Sequence, residues 1–269
     1  MRALRADHLS FLLRRQTFSP GLFSVTLRAP ALAQSIAPGQ FVMARVGDRV
    51  RPYLRRAYSV ADADPAAGEI ELLIKTIGPG TRALEEIPEG HPVELLGPLG
   101  NGFSSHGLPA GARVAVVAGG IGAAPFPLLL RGLAREGVVA DVYLGGRTAR
   151  DLAFRARFAG LSRGDLVLCT EDGSLGERGR VTAIFEARAA TGGGAPCARV
   201  FACGPMPMFG ALAEIVAALK IPAQFSTEAA MGCGFGACLG CVIPGTEKPF
   251  LISCVEGPIL PPEAIAWTA

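Results

Sequence analysis

Met231-Gly232-Cys233-Gly234-Phe235-Gly236-Ala237-Cys238-Leu239-Gly240-Cys241 is the stretch around which the chain is organised. Cys254 follows in Ser253-Cys254-Val255-Glu256-Gly257-Pro258, so the spacing is C-x4-C-x2-C-x12-C. Four thiolates in C-x4-C-x2-C…C spacing hold plant-type [2Fe–2S] clusters. Three sulfurs must close around a small cluster from one short loop. Such a loop needs tight turns, and the glycines at 232, 234, 236 and 240 are expected to take positive φ there. Its amides are then free to hydrogen-bond cluster sulfurs. A structural zinc site also takes four cysteines, but usually as two C-x2-4-C knuckles, and here the fourth cysteine stands alone. Disulfide pairing is the other alternative, although a C-x-x-C in a reducing compartment is more often metal-binding or redox-active.

Upstream of the cysteines, strands and helices alternate from Gly111. Arg113–Ala118, Val138–Gly145, Asp165–Thr170, Arg199–Ala202 and Ala223–Ser226 read as strands, and Phe126–Arg135 and Met208–Leu219 as helices. Buried apolar strands alternating with helices predict a doubly wound parallel sheet, with ligands at the carboxyl ends of its strands. Gly119-Gly120-x-Gly122 stands at such an end, where glycines let a pyrophosphate approach the backbone; a tight strand-to-helix turn would read the same. The pattern is not G-x-G-x-x-G. Cys203-Gly204-Pro205 ends the fourth strand and is expected to face the same crevice. Cys169 and Cys197 have no partner at metal spacing and read as packing residues.

Residues 9 to about 105 read as six short strands, Leu9–Gln16, Phe23–Arg28, Gln40–Val46, Arg56–Ala61, Ile70–Ile77 and Pro92–Leu96, with no useful helical period before Thr81. Close spacing predicts a small antiparallel barrel. Within it, Arg56-Ala57-Tyr58-Ser59 places a bidentate phosphate donor, a ring able to stack and a hydroxyl close together. A surface arginine beside a half-buried strand tyrosine would look the same. Gly80-Thr81 opens a short helix whose free amides and dipole suit an anion, or whose Thr81 is simply a cap.

The 269 residues suffice for two domains or more, and half are hydrophobic. A net charge of +3 without a basic run argues against nucleic acid. Arg14 and Arg15 interrupt the apolar run that follows Arg2 and Arg5, so no signal peptide is expected. One long uncharged run, Val114–Leu130, holds several glycines and prolines and is short for a membrane span. Cytoplasm is the expected compartment. His8, His91 and His106 lie outside the motifs, and no general acid or base is assigned.

Taken in order, R-x-Y-S at Arg56–Ser59, G-G-x-G-x-x-P at Gly119–Pro125 and C-G-P at Cys203–Pro205 resemble the ferredoxin–NADP reductase superfamily. The segment Thr227–Cys241 with Cys254–Pro258, together with Thr170–Gly176 and Gly179–Thr182, is similar to the electron-transfer subunits of dihydroorotate dehydrogenase B. Ala57 departs from that subunit, which commonly has proline there.

The resemblance implies FAD on Arg56, Ala57, Tyr58, Ser59, Leu73, Ile74, Lys75, Gly80 and Thr81. It implies a [2Fe–2S] cluster on Cys233, Cys238, Cys241 and Cys254, and NAD over Gly119, Gly120, Gly122, Cys203, Gly204 and Pro205. It also implies a separate FMN-containing catalytic subunit in a heterotetramer, with electrons running from dihydroorotate through FMN, cluster and FAD to NAD. The expected architecture is multi-domain β plus α/β: an FAD barrel over 1–108, an NAD-binding α/β unit over 109–224 and a cluster lobe over 225–269. The alternative is an NAD(P)H-linked diaphorase subunit of a ferredoxin, sulfur-reducing or hydrogenase complex. Apolar Phe235, Leu239, Ile259 and Leu260 are expected to centre a partner interface, or else to pack the cluster lobe.

Overall fold

The computed structural model describes residues 6–46, 53–190 and 197–267; Arg2 and Arg5, used above, lie outside them. Strands β1 (Ala6–Ser19), β2 (Leu22–Arg28), β3 (Phe41–Arg45), β4 (Arg56–Asp64), β5 (Glu69–Lys75) and β6 (Pro92–Leu99) close an antiparallel barrel in the order β1-β2-β5-β4-β3-β6. Two short helices decorate it, α1 (Pro30–Ser35) and α2 (Pro79–Glu86). The expectation of no helix before Thr81 missed α1, whose six residues are too few to show a period. Helix α2 begins at Pro79, with Gly78 as its cap. Thr81 sits one turn in, and its Oγ1 accepts from the amides of Ile77 (2.9 Å) and Gly78 (3.1 Å).

The second unit is a seven-stranded sheet, β10-β9-β8-β7-β11-β12-β15. Its parallel strands are β7 (Arg113–Gly119), β8 (Val139–Gly146), β9 (Leu166–Thr170), β10 (Glu177–Arg178), β11 (Cys197–Cys203) and β12 (Ala223–Ser226). Helices α3 (Phe126–Arg135) and α4 (Arg155–Leu161) cover one face; α5 (Val181–Ala190) and α6 (Met206–Ala218) cover the other. The alternation along β7 makes the two faces visible: Val114, Val116 and Ala118 join the core under α3, while Ala115 and Val117 join the core under α6. In α3, Phe126, Leu129, Leu130 and Leu133 fall on one helical stripe, and all are buried. The strand order reverses between β7 and β11, and that reversal fixes where a ligand crevice opens.

Ion pairs knit barrel to sheet unit. Asp62 of β4 meets Arg131 of α3 at 2.9 Å, Glu71 of β5 pairs with Arg157 of α4, and Lys75 reaches Asp151 at 3.2 Å.

The cysteine segment continues through β13 (Val242–Pro244), β14 (Phe250–Ile252), α7 (Ser253–Glu256) and β15 (Ile259–Leu260). It is fastened to both other units. Strand β15 pairs antiparallel with β12, so Ile259 and Leu260 are buried at 6% and 4% exposure. Asn101, just past β6, donates to the carbonyls of Glu256 (3.0 Å) and Ile259 (2.8 Å) and accepts from the Ile259 amide at 2.8 Å. The expectation that Ile259 and Leu260 face a partner is therefore corrected, because the sheet edge takes them. Phe235 (42%) and Leu239 (60%) are exposed, as expected.

Candidate functional site

Strands β3 and β4 carry two faces with different duties. Val42, Ala44, Tyr58 and Val60 point into the barrel core. Phe41, Met43 and Ala57 point outward and, with Leu99, pack on Cys241 and Cys254. Met43 pairs with Ala57 and Val42 with Tyr58, so a period of two separates the faces.

The cysteine loop packs directly on this wall. Gly234 has φ +80°, and a Cβ there would fall 2.5 Å from Met43 Cγ. Gly236 has φ +91° and would strike Val255 at 2.6 Å. Of the four loop glycines only these two take positive φ. Gly232 and Gly240 do not, because Leu239 makes the left-handed residue of that turn at φ 55°.

The four thiols stand as two pairs. The Cys238 amide reaches Cys233 Sγ at 3.4 Å, and that pair lies at the surface. The Cys254 amide reaches Cys241 Sγ at 3.4 Å, and that pair is buried. Burial raises the Cys233 thiol, but amides of Cys238, Phe235 and Ala237 directed at its sulfur outweigh this and bring it down to about 6. Burial and the adjacent Cys241 thiol push Cys254 up to about 12. Among the described residues no three such side chains gather closely enough for a single metal ion. Pairwise thiols, a loop rich in inward amides and an apolar wall fit a two-iron cluster, with one pair for each iron; one tetrahedral zinc would need all four thiols together.

On the other face of the barrel, the β4–β5 ladder ends at Val60↔Leu72. Arg56–Ser59 and Leu73–Lys75 splay apart beyond it, which leaves backbone edges open between them. The side chains of Leu73 and Ile74 are buried, so only their backbone is available to a ligand. Arg56 also donates to the Leu54 carbonyl and lies across the start of α2, where a Cβ on Gly80 would fall 2.4 Å from its Nε. Tyr58 is 9% exposed, and its buried hydroxyl has no hydrogen-bond partner. Its ring packs with the barrel core, and burial pushes its pKa up to about 12. An open ladder, an arginine held over a helix start and an orphaned phenol together fit a flavin with its pyrophosphate.

A cleft of about 530 Å³ opens at the ends of β7 and β11, as the strand order requires. Gly119, Gly120, Gly204 and Pro205 line it. Three of the glycines also serve the protein itself: a Cβ on Gly122 would lie 2.2 Å from the Cys203 carbonyl oxygen, and Gly119 and Gly204 are pressed on Met208. Gly120, at φ +56° with nothing within 4 Å of its Cβ position, presents open backbone to the cleft. Cys203 is buried to 2% exposure and packs behind the cleft, and burial raises its thiol far above the ordinary range.

Lys75, expected at the flavin, lies in this cleft bonded to Asp151. Arg147, Glu171 and Arg180 line its far end, and Glu228 also borders it. Asp172 is committed to the Ser174 hydroxyl (2.6 Å) and amide (2.9 Å), whereas Glu171 opens into the cleft. Glu171, Arg180 and Glu228 lie inside segments that carry the family resemblance, but sequence reading gave them no place in the cleft.

The chain is similar to known proteins over nearly its whole length. Residues 228–266 match the iron-sulfur cluster binding domain of dihydroorotate dehydrogenase B, and residues 14–103 match an oxidoreductase FAD-binding domain. The electron transfer subunit of dihydroorotate dehydrogenase B (NAD(+)) of Desulforamulus reducens is 35% identical over 93% of this chain and 94% of its own length. That of Geobacillus thermodenitrificans is 38% identical over 88% of this chain and 90% of its own. In fold, the chain is similar to an NADH-dependent reduced ferredoxin-NADP oxidoreductase (TM-score 0.85, 23% identity, 97% of this chain and 90% of that one). It is also similar to a Neisseria gonorrhoeae ferredoxin NADP+ reductase (TM-score 0.66, 20% identity, 84% and 94%). With that identity sustained over nearly its whole length, the chain belongs to the family of electron transfer subunits of dihydroorotate dehydrogenase B (NAD(+)).

Proposed function

We propose that this chain carries electrons between a catalytic dihydroorotate dehydrogenase subunit and NAD, as an oxidoreductase subunit of pyrimidine synthesis. The supporting observation is that one strand, β4, carries the R-x-Y-S residues, with Tyr58 turned into the barrel core, while its Ala57, with Phe41 and Met43 of β3, forms the wall against the inner cysteines. When bound, FAD exchanges a hydride with nicotinamide and single electrons with a [2Fe–2S] cluster.

The chain's own residues do the holding. Arg56 and the amides at the start of α2 take the pyrophosphate. The open backbone of Leu73–Lys75, with Ala57, Tyr58 and Ser59 on the opposing strand, takes the ring. Gly119, Gly120, Gly122, Gly204 and Pro205 shape the nicotinamide cleft, with Cys203 packed behind it. Cys233 and Cys238 hold the outer half of the cluster, and Cys241 and Cys254 the inner half. The units are taken as 1–108, 109–224 and 225–269, the last clasped to the other two.

The partner contains FMN, forms a heterotetramer with this chain in the cytoplasm, and docks on the cysteine loop. There a cleft of about 500 Å³ lined by Tyr53, Leu54 and Phe235 adjoins Cys233. Among the described residues no helix is long and apolar enough to cross a membrane.

The test is dihydroorotate-dependent NAD reduction, measured with this chain alone, with the catalytic subunit added, and with Cys238→Ser in the pair. Turnover only in the wild-type pair is expected, with NADH-dependent dye reduction kept in Cys238→Ser. Turnover by the isolated chain, or an unimpaired Cys238→Ser pair, would overturn the assignment.

A further inference from the structure

Ser253 is completely buried, and its hydroxyl has no hydrogen-bond partner. Leaving a buried hydroxyl unpaired is costly, so folded proteins rarely do it. This chain satisfies others of its kind: the buried hydroxyls of Ser10, Thr170 and Thr227 each donate to a carbonyl, at 2.7, 3.0 and 2.8 Å.

Ser253 differs in its position. Its amide donates to the Cys241 carbonyl at 2.8 Å, and its chain neighbour is Cys254, whose amide reaches Cys241 Sγ. Its backbone thus ties it to both inner cysteines, whose thiols pack on Phe41, Met43 and Leu99, side chains without an oxygen or nitrogen acceptor. No protein group among the described residues, the cysteine thiols included, satisfies this hydroxyl, and a cluster bound on Cys241 and Cys254 would bring sulfur acceptors to its side of the wall. Reduction of a cluster adds negative charge to its sulfurs, and a hydrogen bond to a charged acceptor is the stronger one. A donor there favours the reduced state, since hydrogen bonds to sulfur are among the levers on cluster potential.

We propose that the Ser253 hydroxyl donates to a thiolate or sulfide sulfur on the inner half of the cluster and holds its potential up. This rests on the cluster reading above. It sets the driving force for exchange with the flavin side rather than the existence of the cluster.

The experiment uses the full chain with cluster and flavin bound. Redox titration followed by electron paramagnetic resonance gives the cluster midpoint for wild type, Ser253→Ala and Ser253→Thr. Ser253→Ala removes an unpaired group and adds no volume, so the fold is expected to hold. Its midpoint should fall by about a tenfold change in the reduction equilibrium, or about 59 mV for one electron. Ser253→Thr keeps the hydroxyl and should stay near wild type. Electron–nuclear double resonance of the reduced state should show an exchangeable proton coupling that is lost in Ser253→Ala and kept in Ser253→Thr. An unchanged midpoint and an unchanged proton coupling in Ser253→Ala would overturn the inference. A wild-type chain without a [2Fe–2S] signal would instead overturn the cluster reading itself.

Discussion

Gly234→Ala should loosen the cysteine loop from the barrel, and the structure supplies the size of the effect. Gly234 holds φ +80°, where an L-residue is strained by about 1–2 kcal/mol. The new methyl would also lie 2.5 Å from Met43 Cγ, 2.8 Å from Met43 Sδ and 3.3 Å from Leu99 Cδ1. Met43 and Leu99 are 0% and 1% exposed, so neither can swing into solvent. Overpacking of this kind adds about 1–3 kcal/mol. The sum is about 2–5 kcal/mol, set against the loop's attachment.

Gly240→Ala is the internal control, with no positive φ and its nearest neighbour, Cys238 Sγ, at 3.7 Å; it should cost no more than about 0.5 kcal/mol. Adding Met43→Ala to Gly234→Ala removes the clash but not the strain, so the double variant should be better than additive by about 1–3 kcal/mol. Urea unfolding of the cluster-loaded chain, followed at the cluster's visible absorbance, measures all four. Equal costs for Gly234→Ala and Gly240→Ala, or strict additivity with Met43→Ala, would refute the packing argument.

Two further outcomes follow from the flavin face. The three atoms nearest a methyl on Gly80 all belong to the flexible Arg56 side chain, so Gly80→Ala should change stability by less than about 1 kcal/mol while FAD retention falls roughly tenfold as the guanidinium is displaced; equilibrium dialysis reads this, and full retention would refute it. Tyr58 binds its proton more tightly in the folded chain, where its pKa is about 12, than in the unfolded chain, where it is about 10. The associated stability is complete below about pH 10 and is lost as pH climbs toward 12, by roughly 3 kcal/mol in all. Tyr58→Phe should flatten that alkaline fall in the thermal midpoint, and an identical slope would disprove it.

What could be read from sequence was what is local. Four cysteines, the apolar stripe of α3 and the alternating runs of the barrel each carry their own period or spacing, so they needed no neighbour to be recognised. What escaped depends on distant partners. Strand β15 is two residues long and exists because β12 offers it an edge, which is why Ile259 and Leu260 looked like interface residues and are core. Loop glycines look alike in sequence, yet Gly234 and Gly236 make left-handed turns while Leu239 replaces a third. The side-chain partner of Lys75, Asp151, lies 76 positions away at the end of a short 3-10 turn, a pairing that no local pattern announces. The R-x-Y-S segment was legible as chemistry, whereas the splay of β4 from β5 that opens its face is a property of pairing register.

The two-sided strand pair of β3 and β4 also bears on time. Arg56–Ser59, assigned to flavin, and the residues packed on the inner cysteines share the β3–β4 strand pair, and Gly234 locks the loop against β3. Nothing in that arrangement has to rotate, open or diffuse for charge to cross it. The internal step should therefore be indifferent to solvent viscosity, while arrival and departure of nicotinamide at the open cleft, and of the partner at the loop, should slow in proportion to it.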